Sequence, residues 1–195
     1  MKRTVIVFIS LLFILSACGG KENKENKENT TASTIAESEV AAFVGEGQMT
    51  VLRTLINSNE FFVNDVFVAS HLSVDKSAAV NNANGTFAPV ISDKIKTYAD
   101  LSDMLKATYT AKTAEKILSE QKYLEIDGKL YFNMKYDAES DYKLDWSNFD
   151  FKVKSVTDEE IVLDISVKDS KGKTVTLTAT AVNENGNLRL DELCC

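Results

Sequence analysis

From residue 123 onward the apolar residues of this chain recur at every second position, and that change of period constrains the fold more than any other feature. "YLEI-DG-KLYF" (123–132) reads as two short strands around Asp127-Gly128, a pair suited to the positive φ angles of a type I′ turn. "FDFKVKSV", "EIVLDISVKD", "KTVTLTATAV" and "NLRLDEL" follow as further strands, turned at "SKG" and "NENG". In "IVLDISV", Ile161, Leu163, Ile165 and Val167 share a face, with Asp164, Ser166 and Lys168 among those opposite. In "TVTLTATA", Val175, Leu177, Ala179 and Ala181 face one way and a threonine row faces the other. Such alternation leaves each strand one buried and one wetter face, which implies a single antiparallel sheet covered on one side.

Helical periodicity upstream supplies the cover. Ile35, Val40, Phe43, Val44, Met49, Val51, Leu52, Leu55 and Ile56 recur at helical spacing, interrupted by Gly45 and Gly47, so one bent helix or two short ones are expected. "EFFVNDVFVASHL" (60–72), rich in aromatic and β-branched residues, fits either a continued helix or a first strand. A loop over 73–85 with Asn84-Gly85 as its turn leads to "TFAPVI". Two helices follow, one with Tyr98, Leu101, Met104, Leu105 and Tyr109 on a face, the next capped by Thr110 and burying Ala114, Ile117 and Leu118. Helices first and a meandering sheet last make an α+β domain, with the N-terminal helices on one face of a curved antiparallel sheet. It resembles the cone-shaped, cystatin-like roll of ketosteroid isomerases and nuclear transport factors.

The first 33 residues stand apart. Lys2 and Arg3, the apolar "TVIVFISLLFIL" and the small residues of "LSAC" form a secretory signal peptide over 1–17, too short for a comfortable membrane span of roughly 20 residues. "LSAC" looks like a bacterial lipobox, which implies cleavage before Cys18, acylation of its thiol and anchorage of an extracytoplasmic lipoprotein in the membrane. "KENKENKENTTAS" (21–33) contains no large apolar residue and carries an asparagine at every third place of its repeat, so 18–33 reads as the acylated cysteine and a solvated tether. Fifteen flexible residues span very roughly 20 Å. Residues 34–195 then form one domain.

Losing Lys2 and Arg3 with the leader leaves 20 bases against 29 acids. That balance argues against nucleic acid as a partner, because phosphates demand basic patches. With Cys18 committed to lipid, only the adjacent Cys194 and Cys195 remain, which cannot staple a fold; oligomeric state is not legible. The one histidine, His71, leaves no triad and no His-rich metal site, and no Gly-rich phosphate loop or calcium loop is present, so no cofactor is expected. A catalytic reading of the cone fold would need an acid on its concave face. Asp164 beside Tyr131 or Tyr142 is the nearest candidate, and a solvent-facing acid on a polar strand face is the plainer account of it. No enzyme is expected.

One longer pattern narrows the function. A glycine and short strand in "NGTFAPVISDKIKT", a helix ending in "ATYT", the capped "AKTAEKILSEQ", the hairpin "YLEIDGKLYF", a loop and four strands closing in "NGNLRLDEL" occur in one order over 85–193. That layout resembles the IseA-type inhibitors of peptidoglycan DL-endopeptidases in Gram-positive bacteria. It departs from them in its lipobox and in Leu188, where a tryptophan is usual. The resemblance implies a rigid body that occupies the groove of a cell-wall DL-endopeptidase and needs no chemistry of its own. "NMKYDAESDYKLDW" (133–146) is the loop best suited to that task. Tyr136, Tyr142 and Trp146 would serve as anchors, with Asp137, Glu139 and Asp141 meeting a basic groove. The same aromatic residues could instead cap the open end of the sheet. A small-molecule- or peptide-binding lipoprotein of the same fold is the alternative.

Overall fold

A computed structural model describes residues 44–195; the leader, Cys18, the tether and Ile35, Val40 and Phe43 lie outside the described residues. Helix α1 (Glu46–Phe61) starts just after Gly45, whose N–H donates to Gln48 Oε1 at 3.3 Å, and places Glu46 in the first turn, where the helix dipole favours an acid. Gly45 therefore sits at a helix boundary. The ambiguous segment after it continues helically as a π-turn over Phe62–Phe67, with Val63 C=O accepting from both Val68 and Ala69 N–H. The wider turn keeps one inward stripe going: Leu52, Leu55, Ile56, Phe62, Val63, Val66 and Phe67 are all buried.

The chain is α+β, as the two periods imply, and among the described residues it has three α-helices and two antiparallel sheets, one of them strongly curled into a half-barrel. The expectation of a single sheet is corrected in this respect. Strands β1 (Val80–Asn82), β2 (Gly85–Pro89), β3 (Tyr123–Ile126) and β4 (Lys129–Asn133) form one sheet in the order β1-β2-β4-β3. Strands β5 (Leu144–Val156), β6 (Glu160–Asp169), β7 (Thr174–Glu184) and β8 (Asn187–Leu190) form the other in sequence order. The hairpin pairs with β2 through Phe87↔Asn133, and residues 134–143 carry the chain from the first sheet to the second. β1 occupies residues read as loop, because Val80-Asn81-Asn82 has no alternation to show.

Local chemistry fixes the turns. Asp127 and Gly128 both have positive φ, +49° and +73°, as do Asn185 and Gly186 at +54° and +82°. In the second sheet Ile161 pairs with Ala181, Leu163 with Ala179, Ile165 with Leu177 and Val167 with Val175, so the two apolar rows lie on one face. Helix α2 (Tyr98–Thr108) opens on a reciprocal cap, in which Asp100 N–H donates to Thr97 Oγ1 and Thr97 N–H to Asp100 Oδ2. Helix α3 (Ala111–Ser119) is capped by Thr110, and its first N–H donates to the Glu184 carboxylate of β7. Helices α1 and α2 both pack on β8, and α2 also meets β3. No helix among the described residues is long and apolar enough to cross a membrane.

Candidate functional site

The connection between the sheets is the loop singled out above. It leaves β4 through Asn133, whose Oδ1 accepts the Lys135 N–H at 3.2 Å and starts a single 3-10 turn over Met134–Tyr136. The Tyr136 hydroxyl donates to Glu120 C=O at 2.8 Å, and two ammonium groups lie over its ring, Lys135 at 4.6 Å and Lys122 at 5.3 Å from the centroid. Lys122 also donates to the Phe67 carbonyl at the end of the π-turn. Partial burial holds the Lys122 ammonium below its ordinary pKa, against the opposing pull of Glu120.

Asp137 makes the next tie. Its Oδ2 accepts from Lys76 Nζ at 2.6 Å, and its Oδ1 lies 3.1 Å from His71 Nε2. Lys76 first and His71 second hold its carboxyl below the usual carboxylate range. His71 stacks on the buried Phe132 ring, centroids 4.1 Å apart and planes 20° apart. A groove of about 550 Å³ runs beside these groups, lined by 69–71, Lys76 and 137–140.

At its far end the loop is tied again. Trp146 is fully buried, and its indole N–H donates to the Tyr142 hydroxyl at 2.6 Å. Its ring meets Phe149 edge-on at 6.3 Å, and Arg53 of α1 lies over Phe149 and Phe151 at 6.0 and 5.1 Å. These contacts revise the expected site. Trp146 cannot reach a partner from a position with no exposed surface, and it serves as the base of the loop. Tyr136 and Tyr142 are half-buried with their hydroxyls engaged, and Asp137 is committed to Lys76 and His71. Glu139 and Asp141 are exposed and have no polar partner among the described residues.

His71 and Lys76 belong to this site although sequence reasoning did not place them there. Their tie to Asp137 spans 66 and 61 positions, and no local pattern announces a contact of that range. Asp164 lies elsewhere, on the polar face of the second sheet, between Lys154 Nζ at 3.3 Å and Thr178 Oγ1 at 3.2 Å. A second groove, of about 660 Å³, runs between α3 and the first sheet; the half-buried Tyr98, the buried Phe87 and Tyr123 and the exposed Glu115 and Glu125 are among its lining residues. Among the described residues no cluster of three or more His, Cys, Asp or Glu has the geometry of a metal site. No protein-family model matches this chain, and none of the curated proteins matches it.

Proposed function

We propose that this chain is a membrane-anchored, extracytoplasmic binding protein that restrains a peptidoglycan DL-endopeptidase, with residues 137–142 in the contact surface. The observation that carries the reading is a loop tied at both ends with two unpartnered carboxylates, Glu139 and Asp141, between the ties. A loop ordered before binding loses little conformational entropy on docking, and its acids steer it toward a basic groove. The layout of 85–193, similar to the IseA-type inhibitors, supports the same conclusion, and the lipobox at Cys18 supports a site of action at the outer face of the membrane.

The test is digestion of peptidoglycan by a DL-endopeptidase in the presence of the protein. Digestion should slow with dose, and Glu139→Lys with Asp141→Lys together should weaken the effect about tenfold, more at low salt than at high. Failure to slow any such enzyme from the same organism would sink the reading. The groove between α3 and the first sheet, with the half-buried Tyr98 in its lining, favours the alternative of a small-molecule or peptide ligand. A rise in melting temperature with a wall-derived peptide, absent in Tyr98→Ala, would favour that alternative.

A further inference from the structure

We propose that His71 is a pH-responsive latch on the 137–142 loop: as an imidazolium it bonds both its own segment and the loop, and as a neutral ring it releases one of them. Its Nδ1 lies 2.7 Å from Leu72 C=O and its Nε2 lies 3.1 Å from Asp137 Oδ1. Both of those groups are acceptors. A neutral imidazole carries one N–H and serves one of them, whereas an imidazolium carries two and serves both.

The charged groups around the ring come from two segments. The loop contributes Asp137 and, across the groove, Glu139; the 3-10 turn Lys76–Ala78 contributes Lys76. Lys76 opposes a second positive charge, but it is 61% exposed and already paired with the other carboxylate oxygen, so solvent screens it. β4 contributes only Phe132, which is uncharged. Loss of the ring's second proton removes one tie and leaves Lys76, so the loop loosens without detaching. Lowering the pH does not release the latch until Asp137, held below the usual carboxylate range by Lys76 and His71, takes a proton.

Amide hydrogen exchange on the full chain, corrected for intrinsic rates, tests the latch without any partner. Protection of the Asp137 N–H, bonded to Met134 C=O, and of the Tyr142 N–H, bonded to Ser140 Oγ, should be about five- to tenfold greater at about pH 5.5 than at about pH 7.5, the effect of one charge-assisted hydrogen bond near the surface. His71→Gln, which donates but cannot titrate, should abolish the difference, and Asp137→Asn should do so independently. Equal protection of the wild-type loop at both pH values, or a difference that survives in His71→Gln, overturns the proposal. That the latch regulates inhibition rests on the reading given under Proposed function. Repeating the digestion assay at both pH values separates the two: equal inhibition overturns the regulatory role, whereas no inhibition at either pH sinks the inhibitor reading while exchange still decides the latch.

Discussion

Asn59 has no exposed surface and makes three hydrogen bonds, donating to Cys194 C=O at 2.8 Å and accepting from Cys194 N–H and the Tyr109 hydroxyl at 2.9 Å each. One side-chain amide thus serves the backbone segment that follows β8 and a buried phenol, whose ionisation burial pushes far above the ordinary range. Asn59→Ala leaves all three partners buried and unpaired, and should lower stability by about 3 kcal/mol, read as a lower urea midpoint at unchanged slope. The Cys194 thiol beside it, pushed up to about 12 chiefly by burial, stays protonated at neutral pH. Of the two accounts of Trp146, partner anchor and cap on the sheet, its full burial fits the second. A register irregularity lies between Asp145 and Asp150 of β5, so alternation counted back from the buried Phe151 gives the wrong side for residue 146. An aromatic side chain in a polar stretch looks like an anchor until that bulge turns it inward.

Among the elements, those governed by neighbours a few residues apart were legible, and those governed by distant pairing were not. The Thr110 cap, the Asp127-Gly128 turn and the paired apolar rows of β6 and β7 all follow from short patterns. The partition into two sheets depends on β4 choosing β2 across more than forty residues, and the π-turn depends on what its aromatic stripe packs against. The α2 cap gives a prediction at this scale. Backbone N–H groups of Lys96 and Thr97 hold Asp100 below the usual carboxylate range, so its folded pKa lies under its unfolded one. Its contribution is therefore present above the ordinary carboxylate pKa, near 4, and is lost as pH falls through the lowered value. Asp100→Asn should flatten the acid limb of a stability–pH curve, while Thr97→Ala should cost about 1 kcal/mol at neutral pH. Chemical denaturation between about pH 2 and pH 7 checks both.

For the molecule as a whole, the acidic balance and the lipobox-like "LSAC" ending at Cys18 bear on the proposed place of action. If Cys18 is acylated, Cys18→Ser should move the protein from the membrane fraction to the soluble one and abolish incorporation of a palmitate analogue, without changing its unfolding midpoint. Of the candidate site, the acids at 139 and 141 and the loop itself were visible in advance as a polar, charged run between strands. Its clamps were not, since Lys122, His71 and Lys76 reach it from segments that only the tertiary fold brings near. The clasp on Cys194 has a consequence for the order of events during synthesis. Asn59 emerges early, yet two of its three bonds wait for a residue 135 positions later. Until then the inner face of α1 carries an unsatisfied amide among apolar side chains, which discourages premature collapse. Formation of α1 and arrival of the segment beyond β8 are thereby coupled, and α1 gains its full stability only with that segment in place.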